Sequence, residues 1–246
     1  MQAVKPNQMK LLLGAAGILG LILRSVLYTS GVDHKGLLIS GYWADTAVWF
    51  LTAGAAAILL LWCRRLPEGK KVLPRSVFSA AGSALAAIAF ALSPVAQAPS
   101  EAFAVIELVL RFASAASLIY ISYRSFQGKS PLFLCHCVVC LYLALRLVCQ
   151  YRVWSADPQI QNYAFYMGAH IALMVTAYQF AAFDAGYGSF RYLWAAGLVA
   201  IFLCIVSTPG SGDPFFLICC GLWIFTNLNS PVSAKTIKQP TQEESQ

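Results

Sequence analysis

Ala44-Asp45-Thr46-Ala47-Val48-Trp49-Phe50-Leu51-Thr52-Ala53-Gly54-Ala55-Ala56-Ala57-Ile58-Leu59-Leu60-Leu61-Trp62-Cys63 carries one charge, Asp45, near its start, and is followed at once by Arg64-Arg65. Crossing the hydrocarbon core of a bilayer takes ~20 mainly apolar residues, with a range of ~17 to 25. This stretch has that length and that apolarity, and Leu66-Pro67-Glu68-Gly69 breaks it where a helix would have to stop. A water-soluble fold has no use for so long an uninterrupted apolar run.

Outward from it, the same pattern recurs over 9–30, 76–96, 102–123, 132–151, 162–183, 192–208 and 214–228. Breakers stand between the runs, among them Gln97-Ala98-Pro99-Ser100 and Thr208-Pro209-Gly210-Ser211-Gly212. The whole chain is 59% hydrophobic and 11% charged, against a charged share of ~25% in soluble domains. The runs have helix length rather than the ~10-residue alternation of barrel strands, and lipid leaves no exposed backbone group satisfied. The expectation is an all-α polytopic transmembrane helical bundle. It forms a single domain over 1–228 with about eight spans, or seven if the last run does not cross. The tail 229–246 is rich in Pro, Gln, Ser, Thr and Glu and is expected to be disordered.

The net charge of +7 does not point to nucleic acid, because the bases fall in short clusters between apolar runs and act as topology signals. With the amino terminus inside and eight spans, twelve of the seventeen Lys and Arg lie on the inner side: Lys5, Lys10, Arg64, Arg65, Lys70, Lys71, Arg75, Arg124, Lys129, Arg191, Lys235 and Lys238. Two, Lys35 and Arg152, lie outside, and Arg24, Arg111 and Arg146 fall within helices. Cytoplasmic retention of Lys and Arg therefore predicts both termini inside. The first run holds Arg24 and ends in Leu27-Tyr28-Thr29-Ser30 without an Ala-x-Ala site, so it is expected to stay as a helix rather than be cleaved. Trp43, Trp62, Tyr123, Tyr151, Trp154, Tyr163, Tyr192 and Trp194 fall near span ends and fit an aromatic belt. Ala16 with Gly20, and Ser79 with Ser83, are small residues at helical spacing that let helices approach closely. The eight cysteines all sit in or beside apolar runs and behave as small hydrophobes.

Charge inside a bilayer costs ~2.5 to 3.5 kcal/mol per residue on the insertion scale and usually faces the bundle interior. Arg24, Glu107, Arg111 and Arg146 share one layer toward the outer side, and Glu107 with Arg111, four apart, stack on one helix face. Structural neutralisation by Asp33, Asp45 or Asp157, or snorkelling to the interface, is the plain reading. The functional reading is an outward-facing site in which surplus arginine receives a carboxylate or phosphate, from an anionic small molecule or a lipid head group, since the planar guanidinium donates two parallel bonds to one oxyanion. Arg24 and Arg146, each in a Leu-Arg context with a tyrosine a few residues on, also admit a parallel repeat of four plus four helices, although no other pair of runs matches beyond hydropathy.

His136, Cys137 and Cys140, at the inner end of the fifth run, form the one metal-like cluster. On a helix only two of them share a face, so a tetrahedral site would need Cys63 or Asp184 as well; no metal or other cofactor is expected. His170 lies near the middle of the sixth run, where a buried, hydrogen-bonded histidine competes with a proton-relay or catalytic role. Glu107-x-x-x-Arg111 and Tyr166-x-x-x-His170 together resemble the CAAX-type protease family, whose pattern is Glu-Glu-x-x-x-Arg, then Phe-x-x-x-His, then a further His with Asn or Asp. The resemblance implies Glu107 and His170 as acid and base of an intramembrane hydrolase. Ile106 stands where the family's first Glu would be, Tyr166 replaces the Phe, and no third motif follows, so the second carboxylate that water activation uses is missing.

The stretch from 153–159 through 182–186 is similar to uncharacterised multi-pass membrane proteins of anaerobic Gram-positive bacteria, which implies a membrane helical bundle and no particular activity. The expected setting is the cell (inner or plasma) membrane, with the lipid bilayer as partner and no nucleic acid. A transporter-like or ligand-binding protein is the first functional expectation. An accessory or sensor subunit acting through partner helices, or a homo-oligomer, is the alternative architecture.

Overall fold

The computed structural model describes residues 6–32, 38–39, 41–64, 66, 71–72, 75–94, 101–155, 163–228 and 232–233. Among these, eight helices follow one another: α1 (Pro6–Ser30), α2 (Trp43–Cys63), α3 (Val77–Leu92), α4 (Glu101–Phe126), α5 (Phe133–Trp154), α6 (Ala164–Asp184), α7 (Phe190–Ser207) and α8 (Pro214–Asn227). Every apolar run of the sequence is a helix, and the chain is an all-helical, membrane-embedded bundle. A two-residue antiparallel pair, β1 (Lys71–Val72) with β2 (Val232–Ser233), and an isolated bridge between Val32 and Leu38 accompany the helices among the described residues. The rest of the tail, and Asp33, Lys35 and Asp157, lie outside them.

The helices are not equivalent as spans. By length and composition α1, α2, α4, α5 and α7 can each cross a membrane, whereas α3 and α8 are shorter apolar helices of 16 and 14 residues. At 1.5 Å per residue they rise only about 24 and 21 Å, less than the ~30 Å hydrocarbon core. Their limits are set by local chemistry. Ser76 caps α3 in a reciprocal box with Ser79, and the helix stops at Ser93, whose extended backbone precedes Pro94. Asp213 caps α8, with Pro214 in the first turn where its missing N–H costs nothing.

Packing divides the bundle in two. Helices α3, α4, α5, α6, α7 and α8 each pack on the next, and α8 returns to α3, closing a ring of six; α1 and α2 pack on each other and on the outside of that ring at α7. Inside the ring lies an aromatic core in which Phe90 meets Tyr142 and Phe216 at 5.2 and 5.0 Å and Phe180 meets Trp223 at 5.7 Å. Outside, large apolar side chains such as Phe50, Phe78 and Leu92 are at least 70% exposed, which suits lipid and not water.

Two contacts depend on small residues. A Cβ on Gly20 would sit 2.6 Å from Val206 Cγ2, so only glycine lets α1 lie this close to α7. A Cβ on Gly82 would run into Thr226 Oγ1, and the same close approach of α3 to α8 buries Ser79 and Ser83. The repeat of four plus four helices is not followed in the packing, since α6 lies along α7 while their counterparts α2 and α3 make no comparable contact among the described residues. Trp43, Tyr123, Tyr151 and Tyr192 are exposed near helix ends, as a belt requires. Trp62 and Trp194 depart from it: both are buried, with rings 6.0 Å apart, and they fasten α2 to α7.

Candidate functional site

The up-and-down course of the helices gives the bundle two ends. At one, the ends of α3 and α5 meet the starts of α4, α6 and α8. Here Arg146 of α5 is 1% exposed and makes three bonds. Its Nη1 donates to Ser93 Oγ and to Tyr142 Oη, both at 2.8 Å, and its Nη2 donates to Asp213 Oδ2 at 3.1 Å. The guanidinium also lies 4.5 Å from the Phe216 ring centre. Asp213 uses its second oxygen to accept from Phe216 N at 3.1 Å. One carboxylate thus caps a helix start, where the dipole favours negative charge, and neutralises a buried arginine.

Arg111 reaches the same place from α4, its Nη1 donating to the Ser93 carbonyl at 2.6 Å. Ser93, freed from the helix by the proline that follows it, is therefore the point on which two arginines converge. Glu107, one turn earlier on α4, is fully buried with Arg111 on the same side of the helix. His170 of α6 is also fully buried, stacked at 5.8 Å on Phe216 with Tyr166 edge-on at 4.5 Å. Its Nδ1 lies 3.1 Å from the Tyr166 carbonyl oxygen. A carbonyl can only accept, so Nδ1 carries the proton and Nε2 is left as a bare acceptor. Among the described residues, Nε2 of His170 and the Nε–H groups of Arg111 and Arg146 have no partner.

Arg24 occupies the same end but not the same compartment. It stands on α1, outside the ring, is 4% exposed, and donates from Nη2 to Tyr28 Oη at 2.8 Å with its guanidinium 4.7 Å from the Phe165 ring centre. Of the four arginine and glutamate positions singled out in the sequence, the ring gathers Arg111 and Arg146 around Ser93, holds Glu107 beside Arg111, and leaves Arg24 on the neighbouring helix.

At the opposite end, Arg75 forms an ion pair with Asp184, whose other oxygen lies 3.0 Å from His136 Nδ1. Arg75 also donates to Asn227 Oδ1 at 3.4 Å. The ring of His136 sits between Phe180 at 5.5 Å and Trp223 at 6.3 Å. Its two cysteine neighbours turn elsewhere. Cys137 is exposed, and Cys140 donates from Sγ to the Met174 carbonyl at 3.6 Å. Among the described residues no three His, Cys, Asp or Glu side chains gather where they could hold a metal ion.

Sequence reasoning missed Asp213 as the partner of Arg146, having weighed Asp33, Asp45 and Asp157 for that role. The signal was present: Asp-Pro immediately before an apolar run is a helix-start signature, and it places a carboxylate at the height of the buried arginine. Tyr142 was legible too, four residues before Arg146 on the same helix face. Ser93 was not, because only the closure of the ring brings the end of α3 against α5. No family model matches the chain, and no curated protein or solved structure matches it either, so the chemistry of the site stands on its own residues.

Proposed function

We propose that this chain is a transporter-like or ligand-binding protein of the cell (inner or plasma) membrane, whose site at the Arg146 end faces outward and takes an anionic small molecule or a lipid head group. The observation that carries this reading is the convergence of Arg111 and Arg146 on Ser93, with both Nε–H donors unused by the described chain. Buried donors of this kind are costly unless an acceptor meets them, and a carboxylate or phosphate supplies acceptors in the geometry that guanidinium groups favour. The Arg146–Asp213 pair supports it further, since an arginine already held in place needs little reorganisation to receive an oxyanion.

Mass spectrometry of the small molecules and lipids retained after gentle purification tests this. A bound anion is expected in the native protein and is expected to fall about ten-fold in Arg146→Gln, the equivalent of ~1.4 kcal/mol. Arg111→Gln leaves the Arg146–Asp213 pair intact and serves as the milder variant. Equal retention in all three, with folding and yield unchanged, overturns the reading.

A second reading, an intramembrane hydrolase with His170 as base and Glu107 as acid, is favoured by one observation, the bare Nε2 of His170 in a buried position. Loss of a hydrolytic activity in His170→Gln, with anion retention unaffected, would separate it from the first.

A further inference from the structure

A groove of about 460 Å³ runs along the outer face of the bundle where α1, α7 and α8 meet, within the ~300 to 1,000 Å³ range of ligand sites. Leu11, Gly14, Ile18, Ile205, Gly221 and Phe225 are among the residues that form it, and its walls are hydrocarbon except for Thr208. From Leu11 to Leu21 on α1 it spans about 15 Å at 1.5 Å per residue. Gly14 lies in its wall, and a Cβ built there meets nothing within 4 Å, so a larger side chain at this position would project into open space.

One end of the groove carries a cation. Lys10, adjacent to Leu11, is 9% exposed and lies 4.3 Å from the ring centre of Phe225, itself part of the groove wall. Its ammonium donates to the Phe225 and Leu228 carbonyls at 3.0 and 3.1 Å. An ammonium has three N–H donors, so one remains, and among the described residues no carboxylate pairs with Lys10. The start of α7 and the ends of α2 and α4 bring Arg191, Arg64 and Arg124 to the same end of the bundle. An apolar channel the length of an acyl chain therefore opens beside a basic surface.

We infer that this groove holds one acyl chain of an anionic glycerophospholipid, with the lipid phosphate at Lys10. Basic sites between transmembrane helices are a recurrent means of lipid head-group recognition, and van der Waals packing against the groove walls holds the chain where no hydrophobic driving force operates. The site is separate from the one at Arg146, and it stands or falls independently of the function proposed above.

The test uses the full chain, delipidated in detergent and exposed to phosphatidylglycerol or phosphatidylcholine of the same chain length, with bound lipid counted by native mass spectrometry. The wild type is expected to retain phosphatidylglycerol about five-fold better than phosphatidylcholine, the effect of about one basic residue at an anionic surface. Gly14→Leu, which fills the groove, is expected to lose the retained lipid; Gly54→Leu, at an equally open position on α2 away from the groove, is expected to keep it. In Lys10→Gln the chain still binds and the head-group preference disappears. Equal retention of the two lipids by the wild type overturns the phosphate assignment, and unchanged retention in Gly14→Leu overturns the groove, whether or not the Lys10 variant folds.

Discussion

Both ends of the six-helix ring bury an arginine against an aspartate, yet the two pairs are built differently. At one end Arg146 projects from the body of α5 into the ring, and Asp213 caps α8 with its other oxygen. At the other end Arg75 lies just before α3 and Asp184 is the last residue of α6, and the member carried within a helix is His136. The first pair is therefore wired into secondary structure on both sides. The second sits at helix termini, just before α3 begins and where α6 ends, with Asn227 as an additional partner for its arginine. The contrast teaches that equal burial does not mean equal dependence: the Arg146 pair caps a helix start and closes the ring, whereas the Arg75 pair ties the approach to α3 to the end of α6 without capping either helix.

The largest effect expected from this difference is in Asp213→Ala. It strands a buried guanidinium, at about 3 to 5 kcal/mol, and removes the cap of α8, at about 1 kcal/mol more. Unfolding of the purified protein in mixed detergent measures the loss, and Asp213→Ala/Arg146→Leu should recover most of the first part. If the double variant is no better than the single one, the ion pair is not what makes that end sensitive. Asp184→Ala at the opposite end should cost less, about 3 kcal/mol, since Asn227 still accepts from Arg75; a loss equal to that of Asp213→Ala erases the distinction between the ends. The smallest change expected is in Tyr142→Phe, which removes one of three bonds to Arg146. Intramembrane hydrogen bonds average about 0.6 kcal/mol, so a loss well above 1.7 kcal/mol would mean that Tyr142 organises the site rather than merely joining it.

Much of this molecule was legible beforehand, and the reasons are visible in particular residues. Apolar runs of helix length give helices because nothing else satisfies the backbone in lipid, and 44–63 was recognisable on that ground alone. Glu107 and Arg111 were expected on one face of one helix, and both are buried on α4. The short α3 and α8 were harder: as stretches of hydropathy they look like spans, and their caps, Ser76 with Ser79 and Asp213 with Pro214, explain where they start. Trp62 and Trp194 misled for a related reason. An indole near a helix end suits an interface equally well whether it meets head groups or another indole, and sequence position does not distinguish the two.

The sequence by itself determined the helices, their number and their membrane character, because these follow from local length and apolarity. It also placed charge within helices 1, 4 and 5. Tertiary structure alone decided which charges meet. Arg146 is 67 residues from Asp213 and 53 from Ser93, and Arg75 is 109 from Asp184. Contacts at such separations depend on how the ring closes, and no local rule of spacing carries that information.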